Sequence, residues 1–298
     1  MTLSSVGISE NRILERMIYN VLFMKKLPIL FITVLLLFSC KPNSKTPAVI
    51  LATETQDWIP LFNGKDLEGW QIKIRGRELG DNYKNTFRVE DGILKVSYAQ
   101  YDTFANEFGH LFYEKPFSHY RLRAEYRFAG EQVHGGPDWA FRNNGFMLHS
   151  QPASSMGLEQ DFPISLEAQL LGGREEGERP NMNLCTPGSN VVIDGELRTE
   201  HCMDSSSKTY RGEGWVTVEM VVLGDSIIHH IVEGDTVLTY GKPTMGGGDI
   251  TGYDPAVYQE GKPMVSGYIA IQAESHPTEF RKIELLELER DGRPVGVQ

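Results

Sequence analysis

The chain has 298 residues, with 29 Lys and Arg against 40 Asp and Glu and a formal net charge of −11 at pH 7. That balance, without a basic patch interleaved with aromatics, argues against a nucleic-acid partner and favours a neutral or weakly charged ligand.

Lys25 and Lys26 precede an apolar run, Leu27 to Phe38, which ends in Leu37-Phe38-Ser39-Cys40. Residues 1–40 therefore read as a leader and signal peptide with a lipoprotein cleavage box, because the run is shorter than the ~20 apolar residues a membrane span needs. Met24 heads a conventional charged n-region, so residues 1–23 read as an over-called start or a long leader. Use of the box makes Cys40 the lipid-modified first residue and residues 41–56 a flexible polar tether. The mature protein is then expected on a bacterial cell envelope, anchored to its membrane by lipid, on the periplasmic or the surface side.

Residues 57–290 read as one all-β domain. Short alternating runs are separated by Gly, Pro, Asp and Asn, and long amphipathic helix patterns are missing. In chain order the predicted strands are 85–89 and 92–98 around a Glu90-Asp91-Gly92 turn, then 119–128, 145–150, 164–171, 190–193, 215–223, 226–233, 236–240, 267–273 and 282–289. So many strands imply two packed sheets. Three irregular inserts, 130–144, 172–211 and 241–263, read as functional loops able to rim one face. The second insert holds Cys185 and Cys202. In an oxidising compartment these are expected to form a disulfide, whose loop would contribute roughly 3 kcal/mol in the chain-entropy model. Zinc at Cys185, His201 and Cys202 lacks a fourth ligand of suitable spacing.

Three stretches offer chemistry. In Gly267 to Ile283, Ile269, Ile271 and Ala273 alternate with Tyr268, Ala270, Gln272 and Glu274, and a cluster of Glu274, His276, Glu279 and Arg281 follows at the turn by Pro277. In Ile164 to Leu170, Glu167 and Gln169 share one strand face about 7 Å apart, from a rise of about 3.3 Å per residue. In Gly145 to Gln151, strict alternation puts His149 on the face opposite Phe146 and Leu148. If that face adjoins Glu167, the pair can act as base and orienter or as two ligands of a divalent metal ion. Arg142, Asn143 and Asn144 offer donors for sugar hydroxyls or an oxyanion, and Trp139 an aromatic platform. Adjacent His229 and His230 face opposite ways and read as structural, as do His110 and His119.

Several blocks resemble one known family. Asp57-Trp58-Ile59-Pro60-Leu61-Phe62-Asn63-Gly64 through Trp70 resembles the opening of the 3-keto-disaccharide hydrolase domain family. Phe87 to Leu94 looks like its first hairpin. Asn143-Asn144-Gly145-Phe146-Met147-Leu148, Leu166-Glu167-Ala168-Gln169-Leu170 and Gly267 to Ile283 look like later strands of the same family. Asn144 stands where the family usually has Ser, and Ala273-Glu274-Ser275-His276 replaces a shorter Asp-His. The resemblance implies a concanavalin A-like jelly-roll β-sandwich that cleaves 3-keto glycosides by elimination and hydration. The implied catalytic residues are Glu167 and His149, as base or metal ligands, and His276 or Glu274 as proton donor. The implied substrate-binding residues are Gln169, Gln272, Arg142, Asn144, Arg281 and Trp139, with Arg281 also able to serve simply as an anchor of the last strand. A glycan-binding module of the same fold and a conventional glycoside hydrolase are the competing expectations.

Overall fold

Side-chain alternation builds the sandwich. In the strand His119–Phe128 every second residue from Tyr120 to Phe128 is buried, and the intervening His119, Arg121, Arg123, Glu125 and Arg127 reach towards solvent. This period of two recurs in Val216–Leu223 and Thr278–Glu287, so each strand offers one apolar face to a partner sheet. The computed structural model describes residues 57–296. The leader, Cys40 and the tether lie outside the described residues.

Two antiparallel sheets result, of ten and seven strands, and the all-β jelly-roll sandwich expected from the sequence is the fold. Among the described residues, helix is limited to three single-turn 3₁₀ segments. Tyr120, Leu122 and Tyr126 of the larger sheet meet Leu111, Phe146, Leu148, Leu166, Ile269 and Ile271 of the smaller in one core. Full burial of each such side chain stabilises the fold by roughly 1.5–3 kcal/mol.

The smaller sheet carries the site. Its spatial order runs from Cys202–Met203 through Asn183–Cys185, Leu166–Leu171, Asn143–Ser150, Tyr268–Ala273 and Gly109–Tyr113 to Trp70–Ile74. The predicted hairpin forms from Phe87–Glu90 and Ile93–Val96. Its two-residue turn places Asp91 at φ 52 and Gly92 at φ 77, the paired positive values of a type I′ turn. The insert expected to be irregular over 172–211 instead contributes four short strands, Asn183–Cys185, Ser189–Ile193, Glu196–Arg198 and Cys202–Met203. Cys185 and Cys202 stand directly opposite each other across one ladder with Cα atoms 4.1 Å apart, and their sulfurs are bonded. Trp70–Ile74 and Gly109–Tyr113 are further strands that alternation alone did not mark.

The outer face of the larger sheet is a layer of ion pairs, with Arg123 over the Trp58 ring and Arg127 over that of Trp215. Arg121 bonds Glu219 at 2.5 Å, Arg123 bonds Glu284 at 2.6 Å, and Arg127 bonds Glu279 at 2.8 Å. Arg281 belongs to this layer. It bonds Glu125 and lies 4.6 Å from the centre of the Trp215 ring. Its expected binding role is thus corrected: it stands on the opposite side of the sandwich from Glu167 and ties the last strand to its neighbour.

Candidate active site

The outer face of the smaller sheet collects polar groups with no partners. Pairing of Met147 with both Ala270 and Glu167, and of Ala270 with Phe112, sets these residues in one row across four strands. Ala153 and Met156 of the following loop cover the apolar members of this row, Phe112, Met147 and Ala270. Gln272 and His110 pair in the next row, with Lys73 beyond His110. One step past the Ile271–Phe146 pair, Gln272 lies beside Gly145. The ladder ends at the Ala273–Gly109 pair, and Glu274 and Phe108 follow it at the same end of the two strands.

Glu167 leans across Gly145 towards this row. A Cβ built on Gly145 would come within 2.6 Å of Glu167 Oε1 and 2.7 Å of its Cγ. Only a glycine leaves the carboxyl that path. Glu167 Oε1, Glu274 Oε2, both amide atoms of Gln272, both ring nitrogens of His110 and Asn143 Oδ1 are buried without a hydrogen-bond partner. Native interiors rarely leave such groups unpaired, and a concentration of them on one face marks a place built for a ligand.

Electrostatics divides the labour. Burial raises the pKa of Glu167 well above the carboxylate range. Burial also raises Glu274, helped by the charge of Glu167 and opposed by the Arg179 guanidinium. Two carboxyls that interact through a dry face cannot both ionise cheaply, so the pair retains a proton at neutral pH. His110 is pushed down to about 3 by burial and by the neighbouring Lys73 ammonium, and it stays a neutral imidazole. Lys73 is held by carbonyls of Ile74, Arg77 and Leu158 at 3.2, 2.7 and 3.3 Å. Burial also lowers Arg179, to about 10, which leaves it cationic.

The sequence expectations separate here. Glu167, Glu274 and Gln272 converge, with half-buried Gln169 on the same face, opposite Gly145 and Asn183. Arg142 stands at the rim, with Nη1 on the Gly173 carbonyl at 3.4 Å. Trp139 is half exposed and stacks on Phe108.

His149 does not join them. Tyr268 pairs with Ser150 but Ala270 pairs with Met147, so the His149 strand carries one extra residue, and His149 adopts φ 48. Such a bulge reverses the facing of every side chain beyond it. The His149 ring turns to the Gly224 carbonyl, 3.0 Å away in a turn of the other sheet. The expected Glu167–His149 base or metal pair is therefore not formed. Among the described residues, three potential metal ligands meet only at Cys185, His201 and Cys202, where both sulfurs are tied in the disulfide. Glu167 and His149, the residues expected to hold a divalent ion, point to different places and do not fit one.

Asn144 is also corrected. It is fully buried, its Nδ2 bonds the Gln272 carbonyl at 2.6 Å and Thr278 Oγ1 at 3.3 Å, and it holds the strands together from within. His276 lies between the rings of Phe128 and Phe141, at 5.6 and 5.2 Å. Burial, with the charges of Arg142 and Arg179, lowers its pKa to about 4. A neutral ring cannot be the proton donor at neutral pH, so of the two candidates Glu274 remains. Asn143, expected as a donor, has its buried Oδ1 unpartnered here, whereas His110, Gly145 and Arg179 were missed. The alternation of Phe108, His110 and Phe112 around buried Leu111 was the available signal for the first; Arg179 lies in a loop without any.

The groove lined by Phe128, Gly172, Tyr210, Arg211 and Trp215 is separate from this cluster and presents no carboxyl or imidazole.

Residues 57–286 match the model of a family described as the 3-keto-alpha-glucoside-1,2-lyase-like domain. No curated protein sequence matches the chain. Among solved structures, a candidate glycosyl hydrolase from Parabacteroides distasonis ATCC 8503 is 15% identical, covering 78% of this chain and 100% of its own, with a TM-score of 0.47. A second from the same organism is 18% identical over 78% and 94%, with a TM-score of 0.46. The Bacillus licheniformis beta-glucanase is 10% identical over 77% and 96%, with a TM-score of 0.42.

Proposed function

The chain belongs to the 3-keto-alpha-glucoside-1,2-lyase-like domain family, and from that premise we propose that it is a carbohydrate-active enzyme cleaving glycosides already oxidised to a ketone at C3. The observation that carries this reading is the buried Glu167–Glu274 pair, held above the carboxylate range and with an unpartnered oxygen on each side chain.

The ketone acidifies the proton on C2, which a modest base can then remove. Glu167 in its ionised form takes that proton, and its raised pKa makes it a stronger base than an exposed glutamate. Negative charge develops on the C3 oxygen, where neutral His110 or the Gln272 amide donates a hydrogen bond, as oxyanion donors do. The ketone re-forms as a C1–C2 double bond develops and the C1–O bond breaks. Glu274 delivers its proton to the departing oxygen. Water then adds across the double bond: hydroxide joins C1, Glu167 returns its proton to C2, and Glu274 recovers one from the water. The net result is hydrolysis, with both carboxyls restored.

The lipoprotein box at Cys40 supports an envelope location, with the enzyme lipid-anchored beside the source of its oligosaccharide or glycoside.

The test compares a 3-keto glucoside with its unoxidised parent, with and without a chelator. Cleavage of the keto substrate alone is expected. Cleavage of the parent would instead identify a conventional glycoside hydrolase, and binding of both without turnover a glycan-binding module. Loss of activity in chelator would show that an ion takes part.

A further inference from the structure

We propose that Trp139 is the platform of a leaving-group subsite, so that the preferred substrates release a group with a flat apolar face, either an aryl ring or the C–H face of a second pyranose. The proposal rests on the elimination reading above and deepens it.

Trp139 is 50% exposed, and it is the single aromatic among the exposed large hydrophobic side chains of the described residues. Its ring stacks on Phe108, with centroids 5.8 Å apart and planes 22° from parallel. Phe108 in turn packs on Phe162 at 5.1 Å, and Phe162 meets His110 at 6.0 Å. A continuous aromatic wall thus runs from the polar floor to the exposed indole.

The backbone beneath the indole is fixed. Arg179 donates Nη2 to the Trp139 carbonyl at 2.9 Å and Nη1 to the Phe141 and Gly172 carbonyls. Arg174 holds Asp138 through its carbonyl at 2.6 Å and its carboxylate at 2.9 Å. Ala140 is fully buried. An exposed ring on so rigid a support loses little freedom when a ligand covers it.

Position gives the subsite its role. The ladder ends at the Ala273–Gly109 pair, next to Glu274 and Phe108, and Arg179, which holds the Trp139 carbonyl, also acts on the Glu274 carboxyl, so the indole rises on the side of the carboxyl that protonates the departing oxygen. In the proposed pose, a sugar held over Gln272 and Glu167 directs its C1 substituent to that side, towards the proton donor Glu274. Stacking against an aromatic face is the usual way a site grips a flat ring.

The experiment compares the wild-type protein with Trp139→Ala and Trp139→Phe on methyl, phenyl and glucosyl 3-keto glucosides. The expected result is that the kcat/KM preference for phenyl and glucosyl over methyl falls roughly tenfold in Trp139→Ala, within the worth of one aromatic stack. Trp139→Phe should restore most of it. A preference lost for only one of the two flat groups identifies which of them the subsite serves. An unchanged preference overturns the proposal. Calorimetric binding of unoxidised phenyl glucoside separates this from failure of the elimination reading. If no keto substrate turns over, weaker binding by Trp139→Ala alone upholds the subsite, and equal binding by both proteins overturns it.

Discussion

Gly145 and Glu167 occupy one volume: a Cβ on the first would lie 2.6 Å from Oε1 of the second. The pairing that sets Met147 opposite Glu167 leaves position 145 as the notch through which the carboxyl reaches the Gln272 row. Gly145→Ala should therefore displace the proposed base without unfolding the strand, since this glycine needs no left-handed φ. A shift of about 1 Å in a reacting group can cost on the order of 100-fold. The expected outcome is a fall of that order in kcat with an unchanged circular dichroism spectrum; wild-type kcat would remove Glu167 from the chemistry.

The carboxyl pair should trade stability for activity. A Glu with a raised folded pKa binds more protons in the folded than in the unfolded chain, so stability falls as pH rises from the ordinary value of 4.5 through the raised one. Glu274→Gln removes a charge that the fold resists. Its Tm should exceed that of the wild type by more at pH 8.5 than at pH 5, while turnover of a 3-keto glucoside is lost. Equal Tm differences at the two pH values would contradict the assigned shift.

His110 should act in the opposite direction. Its folded pKa, about 3, lies below the ordinary 6.5. The unfolded chain then binds more protons between those values, and stability falls as pH drops through that window. His230 and His276, each lowered to about 4, add to the same slope. His110→Gln should unfold at a lower urea concentration than the wild type at pH 7.5 or match it, and the comparison should shift in favour of the variant at pH 4.5. A pH-independent difference would mean that His110 is not held neutral.

Asn144 and Arg281 provide a paired check on the corrected assignments. Loss of the three buried Asn144 bonds should cost about 1–3 kcal/mol in Asn144→Ala, the penalty for orphaned buried partners. Arg281→Ala removes an exposed ion pair and should leave both the urea midpoint and kcat near wild type. A kcat collapse in Arg281→Ala, with stability intact, would return that residue to the site.

Much of the framework was readable before the fold was known. His119–Phe128 was delimited by its alternation alone, and the Asp91-Gly92 turn by the chemistry of positive φ. Glu167, Gln272 and Glu274 were found because a period of two places them opposite core residues in regular strands. His230 was read as structural, and it lies buried between the Met182 carbonyl and the Tyr240 hydroxyl. His149 failed for the same reason that the others succeeded: its strand holds one extra residue, and facing parity is lost at a bulge that depends on pairing with a partner over a hundred residues away.

The sequence by itself determined the strand faces, the turn positions and the family, because these follow from local stereochemistry and contiguous motifs. The tertiary structure decided which faces meet. Only the ladder register sets His110 next to Gln272 and places the Glu167 strand two strands from Gln272, and only the packed sheet brings the charge of Glu167 to bear on Glu274. Only burial by residues distant in the chain shifts their proton affinities in opposite directions. Desolvation and cross-strand register arise from long-range packing, and no local pattern of residue types encodes them.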